Sequence, residues 1–333
     1  MDATATGDAS AEKKAAPIEL VGIRKQYPDG TVAVGDLSLE VRAGELVVLI
    51  GPSGCGKSTV LRMVNRLIEP TAGKIMLDGE DVTSADPVEL RRRIGYVIQN
   101  VGLFPHQTIQ ANVGTVPRLL GWSRARVRQR SDELLELVGL DPAKFGKRYP
   151  QELSGGQRQR VGVARALAAD PVVLLMDEPF SAVDPIVRGR LQEEFLRLQA
   201  DVRKTIVLVT HDLDEAVRLG DRIAVLSQGG KLEQYDSPAD LLGRPASPFV
   251  REFVGADRGI RRLAVTPVTR DMLEPLDGDN GEYPATALGT SLYDALATML
   301  VTNSDYLRVT DGDEPVGLLT RHRLLSIDYP AEQ

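Results

Sequence analysis

The stretch GPSGCGKST, residues 51–59, follows the apolar run LVVLI and opens a helical pattern. It fulfils G-x-x-x-x-G-K-S/T in the strand, loop, helix setting that the motif requires. Gly51, Gly54 and Gly56 let backbone N–H groups converge on phosphate oxygens, and the helix N-terminus adds partial positive charge. Lys57 is then placed to reach the β- and γ-phosphates of a nucleotide, and the Ser58 hydroxyl to ligate Mg²⁺. Ser53, Cys55 and Thr59 complete the nucleotide-binding loop. Cys55 reads as a small residue that fits, with a thiol that would make the site sensitive to alkylation.

A second stretch, VVLLMDE at 172–178, ends a buried strand in two carboxylates. Asp177 is placed to hold Mg²⁺ through water, and Glu178 to orient and deprotonate an attacking water. A third, LSGGQRQR at 153–160, sets two glycines at the start of an arginine-rich amphipathic helix. Ser154 and Gln157 form a capping box, which accounts for those two residues. It does not account for Gly155 and Gly156, because helical glycine costs about 1 kcal/mol against alanine. The pair makes sense if an anion approaches the amides closely. Since the loop at 51–59 already holds one nucleotide, the expected client is a nucleotide held by another copy of the chain.

The elements that must carry these residues alternate. Continuous apolar runs at GELVVLIG, PVVLLMDE and TIVLVT are strands buried on both faces, and helical segments fall between them. This predicts an α/β domain with a largely parallel sheet. Residues 87–169 have mostly helical periodicity with breaks at Pro105, Pro117, Pro142 and Pro150, which reads as a helical insertion. After residue 256 the composition shifts: EPLDGDNGEYP is a linker or exposed loop, and the tail reads as a short α/β unit. In that tail Leu292, Ala295, Leu296 and Met299 have helical spacing, and a hairpin is expected about Asp311 and Gly312.

Bulk properties narrow the function classes. The 333-residue chain has a formal net charge of -7 and a pI of about 5.2, which opposes binding to nucleic acid or an anionic membrane surface. Basic clusters at 91–93, 122–130 and 158–165 lack interleaved aromatics and read as solvated helix faces. One cysteine allows no intrachain disulfide and fits a cytosolic setting. Residues 1–17 have no signal-peptide pattern and read as a disordered lead-in, and no apolar run approaches the roughly 20 residues of a membrane helix.

Over residues 18–255 the sequence resembles the nucleotide-binding subunits of ATP-binding cassette (ABC) transporters, with the motifs in family order. The resemblance implies a P-loop NTPase with a RecA-like core sheet and a helical subdomain over about 87–169. It implies ATP and Mg²⁺ as cofactors, and a head-to-tail homodimer in which LSGGQ at 153–157 closes over ATP bound by the opposite subunit. Gln99 matches the glutamine that senses Mg²⁺ and the γ-phosphate. Tyr27 sits where the family stacks an aromatic on adenine. SAVD at 181–184 resembles the dimer-crossing loop, with Val183 where leucine is usual and its acid, Asp184, kept. His211 matches the switch histidine at the γ-phosphate, whereas His106 and His322 read as ordinary core or surface groups.

QNVGLFPHQTIQANV at 99–113, DEPFSAVDP at 177–185 and FVREFVGADRGIRRLAV at 249–265 look similar to importer subunits for glycine betaine, carnitine and choline. This implies a separate transmembrane permease, a substrate-binding protein or domain, and a place at the cytoplasmic face of the membrane. That subgroup commonly carries a C-terminal pair of CBS-type modules. Here residues 284–328 resemble a single one, within 256–333, and GLLTRHR at 317–323 has Arg323 where a ribose-binding acid is usual. The module is therefore as open to subunit pairing as to nucleotide binding. A different solute, or an ABC ATPase acting on nucleic acid or the ribosome, remains the alternative.

Overall fold

A computed structural model of the chain describes residues 15–99, 101–181, 183–276 and 283–326. The expected disordered lead-in lies outside the described residues up to residue 14. Its end is not free, because the Ala16 amide donates to the Val172 carbonyl and the Pro17 carbonyl accepts from Asp78. The described residues fall into two compact units, one drawn from Met1–His211 and Leu226–Leu232, the other from Asp212–Val225 and Glu233–Gln333. Among them, no helix is long and apolar enough to cross a membrane.

The first unit runs through β1 (Ile18–Gln26), β2 (Val32–Val41), β3 (Leu46–Ile50), α1 (Lys57–Val64), β4 (Ala72–Leu77), β5 (Glu80–Asp81), α2 (Pro87–Arg93) and β6 (Ile94–Val97). It continues with α3 (Ile109–Val113), α4 (Thr115–Leu119), α5 (Arg124–Leu137), α6 (Pro142–Phe145), α7 (Gly155–Leu167), β7 (Val173–Asp177), α8 (Pro185–Val202) and β8 (Thr205–Val209). An antiparallel sheet has the order β2-β1-β4-β5. In the second sheet β3, β8, β7 and β6 lie side by side and parallel. Every residue of β3, β7 and β8 is buried, as strands covered on both faces should be.

Register places the chemistry. Leu49 of β3 and Asp177 of β7 both pair with Val209 of β8, so three loops leave the sheet at one edge. They carry the residues after Ile50, after Asp177 and after Val209. That is where a parallel sheet binds ligands, beyond the carboxyl ends of its strands. The interval expected to be helical, 87–169, also contains β6, which pairs with β7 from Ile94↔Val173 to Val97↔Met176. Four apolar-rich residues after an arginine run are too short to register as a strand by pattern.

The second unit contains α9 (Leu213–Leu219), parts of β9 (Arg222–Ser227) and β10 (Lys231–Asp236), α10 (Pro238–Gly243), α11 (Pro248–Val254) and α12 (Arg258–Val265). Its end is built from β11 (Ala285–Ala287), α13 (Leu292–Thr302), β12 (Tyr306–Asp311), β13 (Glu314–Thr320) and α14 (Arg321–Leu325). β11 runs parallel to β12, and β12 turns back into β13 through Gly312 at φ 62°. Leu292, Ala295 and Met299 of α13 pack with Leu307, Val309, Leu319 and Leu324 in one buried core, with Leu296 partly buried against it.

Candidate functional site

The loop after β3 is shaped by its glycines, though not all for one reason. A Cβ on Gly51 would sit 2.1 Å from the Leu226 carbonyl oxygen, and one on Gly56 2.4 Å from the Ala33 carbonyl oxygen. Gly54 has open space around it but a φ of +79°. Backbone approach therefore demands two of the glycines, and left-handed backbone the third. Gly56 at φ 110° is the N-cap of α1 and offers no side chain to the helix end. The first amides of α1 are thus left for a ligand.

Lys57 is buried, and its ammonium donates to the carbonyls of Gly51 at 2.7 Å and Pro52 at 3.0 Å. A buried cation whose close hydrogen bonds go to neutral carbonyls is an electrostatic half-site for an anion. One residue on, Ser58 Oγ donates to Asp177 Oδ1 at 2.8 Å. Burial pushes the Asp177 carboxyl above its usual range, with Glu178 acting in the same direction. The Ser58 hydrogen bond, Arg62 and Lys57 oppose that shift. A desolvated carboxylate beside a hydroxyl, both hard oxygen donors, fits a Mg²⁺ ion that draws its remaining ligands from phosphate and water.

Glu178 follows at φ 46°, left-handed backbone that a glutamate adopts only when its surroundings impose it. Its amide donates to the Val209 carbonyl at 2.9 Å, and its own carbonyl accepts from Ser181 Oγ at 2.9 Å. This turn sends the carboxylate to two groups from other loops. Gln99 Nε2 donates to Glu178 Oε2 at 3.0 Å, and His211 Nδ1 lies 3.3 Å from the same oxygen. The amide nitrogen of Gln99 being used this way, its oxygen is the atom that can ligate a metal.

Of the residues singled out in the sequence, Lys57, Ser58, Asp177, Glu178, Gln99 and His211 thus meet at one edge of the sheet. Ser53 is exposed, and Thr59 is partly buried on α1. Cys55 is fully buried, with the Lys57 ammonium 3.8 Å from its sulfur, so the thiol is shielded. Tyr27 stands after β1 with its amide on the Thr31 carbonyl and the Lys25 ammonium 5.3 Å from its ring centre. Ser154 and Gln157 make both capping-box bonds, at 3.3 and 3.0 Å, and Gly155 and Gly156 begin α7. Asp184 is exposed, and its carbonyl accepts from the Arg188 amide at the start of α8.

Two residues were not anticipated. Arg62 of α1 favours the charged form of Asp177. Tyr96 of β6 is hydrogen-bonded to Arg62, and burial together with the field of Asp177 pushes the Tyr96 hydroxyl up. Arg62 lies four residues after Ser58, on the same helix face, and that spacing was the available signal. Tyr96 is invisible to spacing, since it arrives through the β6–β7 register.

The model of the family described as ABC transporter matches residues 34–181. The osmoprotectant import ATP-binding protein OsmV of Salmonella typhimurium is 58% identical over 231 residues, 69% of this chain, and the match spans 60% of that relative's own length. The glycine betaine/carnitine/choline transport ATP-binding protein OpuCA of Bacillus subtilis is 48% identical over 295 residues, covering 88% of this chain and 75% of that one. A dimeric ATP-binding cassette solved in a post-hydrolysis state with ADP and Pi is 34% identical, with a TM-score of 0.59 over 66% of this chain and 98% of that chain. By identity and coverage together, this chain belongs to the ABC transporter family of ATP-binding proteins.

Proposed function

We propose that the chain is the ATP-hydrolysing subunit of an importer for a small osmoprotectant of the glycine betaine, carnitine or choline type. The observation that carries the chemistry is the Glu178 carboxylate, held by Gln99 and facing His211, one residue beyond an Asp177 bonded to Ser58 of the phosphate loop. Such a carboxylate can accept a proton from water while Lys57 and the loop amides neutralise the transferred group. Ser58, Asp177 and Gln99 would hold a Mg²⁺ ion, which when bound would supply charge neutralisation to the nucleotide phosphates. The relatives' names support the cargo class.

In this reading two copies close around two ATP molecules, with Tyr27 on adenine and residues 154–157 and Asp184 completing the partner's site. Closure moves a separate permease pair fed by a substrate-binding protein, and the subunit sits at the cytoplasmic membrane face. The solved cassette likeness, itself a dimer, supports the pairing. Residues 284–328 act as a single CBS-like module. The acid a ribose would need is replaced by Arg323, which favours a pairing or regulatory role over nucleotide binding.

The test is uptake of labelled glycine betaine, carnitine and choline at low and high osmolarity, in cells without other uptake systems, comparing the parent gene with Glu178→Gln. Osmotically stimulated uptake of at least one solute that vanishes in the variant is expected. Uptake unchanged by the variant, with expression verified and ATP turnover lost, would overturn the cargo assignment.

A further inference from the structure

His211 closes the first stretch of the first unit, and the chain passes into the second at Asp212 before returning at Leu226. Its side chain is 58% exposed, so its position depends on how the backbone on either side is held. Upstream, the Thr210 amide donates to the Leu49 carbonyl at 3.2 Å, which ties that side to the sheet. Downstream, Asp212 is the N-cap of α9, with Oδ1 accepting from the Asp214 and Glu215 amides at 2.9 and 3.2 Å. α9 has seven residues, and a helix that short is placed by tertiary contacts rather than by its own propensity.

One such contact is a guanidinium used three ways. Arg261 Nε pairs with Asp214 Oδ1 at 2.7 Å, Nη2 with Asp257 Oδ2 at 3.0 Å, and Nη1 donates to the Val254 carbonyl at 3.1 Å. The planar fork thereby joins the first turn of α9 to the end of α11 and the N-cap of α12. α12 in turn is fixed to the C-terminal module. Leu263 packs against the buried core of that module, the Leu292 amide donates to the Thr266 carbonyl at 2.9 Å, and the Val268 amide to the Thr290 carbonyl at 2.8 Å. The Arg261–Asp214 pair also borders a cleft of mixed lining that includes Ser291 and Tyr293 at the start of α13.

We infer that Arg261 is a positioning residue for His211, acting by holding the start of α9, the segment into which the chain runs directly after the group that faces Glu178. The inference rests on the ATPase reading above. Asp214 touches no reacting atom; besides receiving Arg261, its charge lies in the first turn of α9.

The experiment is steady-state and single-turnover ATP hydrolysis by the full chain, with Arg261→Ala, Arg261→Lys and Asp214→Asn, each alone and combined with His211→Ala. Asp214→Asn leaves the bonds of Arg261 to Asp257 and Val254 in place, so it separates the α9 arm from the α11–α12 junction. Both Arg261→Ala and Asp214→Asn are expected to lower kcat about five- to tenfold, a modest coupling between sites, with KM for ATP little changed. Arg261→Lys should retain part of the activity, and in the His211→Ala background neither Arg261→Ala nor Asp214→Asn should add a further loss. Parental turnover in Asp214→Asn, or an equal further loss in the His211→Ala background, would overturn the inference while leaving the ATPase reading intact. A parent chain without ATP turnover would overturn the reading and the inference together.

Discussion

Gln99 donates to Glu178 Oε2 at 3.0 Å across loops 79 residues apart in sequence. The bond fixes which carboxylate oxygen is occupied, and His211 Nδ1 lies 3.3 Å from that same oxygen. Two loops from different strands thus converge on one atom of a residue whose backbone is itself left-handed. Fixed donors aimed at one carboxylate oxygen are the kind of preorganised arrangement that electrostatic catalysis uses.

Glu178→Gln keeps the shape of the side chain and removes its basicity. ATP turnover is expected to fall by about 10²–10⁴, the usual contribution of a positioned general base. ATP binding should survive, because Lys57, Ser58 and Asp177 are untouched. Single-turnover hydrolysis beside equilibrium binding of labelled ATP checks both halves, and turnover at the parental rate would remove Glu178 from the role of base.

Asp177 gives a pH signature in the ligand-free protein. Its folded pKa is raised, chiefly by burial, so folding penalises the ionised form. The unfolded chain ionises first as pH rises past the ordinary aspartate value. Stability contributed at this site is therefore lost between that value and the raised folded one, and stays lost above it. Asp177→Asn removes this dependence. Without ligand the variant should melt higher than the parent at neutral pH, an advantage that shrinks as pH falls below the carboxylate range. With Mg²⁺ and ATP the order should reverse, because the parent gains binding energy that the variant lacks. Thermal melts across pH, with and without Mg-ATP, decide it.

The three loop glycines should separate by cause. Gly54→Ala meets no neighbour and pays only for left-handed backbone, about 1–2 kcal/mol. Gly51→Ala and Gly56→Ala drive a Cβ into backbone carbonyls at 2.1 and 2.4 Å as well, so each should cost more than about 3 kcal/mol. For a unit of this size, each kcal/mol corresponds to roughly 2–4 °C in melting temperature. Melting temperatures in the order Gly54→Ala above the other two are expected, and an equal drop in all three would contradict the clash.

How much of this was legible follows from whether the signal is local. The loop at 51–59, the Asp177–Glu178 pair and the capping box of Ser154 and Gln157 are linear patterns with a physical meaning at fixed spacing; the structure has the first between a strand and a helix, the second at the end of β7, and both bonds of the third. β6 was missed because four residues carry too little periodicity, and only pairing with β7 makes them a strand. Tyr96 was missed for the same reason, since its place in the field of Asp177 comes from the β6–β7 pairing. Leu226 and Ala33, whose carbonyls force Gly51 and Gly56, are likewise distant in sequence and near only in the fold.

Cys55 shows the same limit acting on reactivity. A cysteine in an exposed glycine loop reads as an alkylation target, yet the side chain is fully buried with the Lys57 ammonium 3.8 Å from its sulfur. A thiolate must be reachable to react, so modification requires the loop to open. N-ethylmaleimide is expected to label the folded chain about 10²-fold more slowly than an unfolded control, equivalent to about 2.7 kcal/mol of local opening. Mg-ATP should slow labelling further by holding Lys57 and the loop closed. Once attached, the adduct would occupy the space beneath Lys57 and abolish nucleotide binding, whereas Cys55→Ala should bind ATP normally. Labelling rates followed by intact mass, with ATP binding measured at each extent of reaction, test the point. Rapid labelling of the folded protein that leaves nucleotide binding intact would show that the thiol lies outside the loop's packed side.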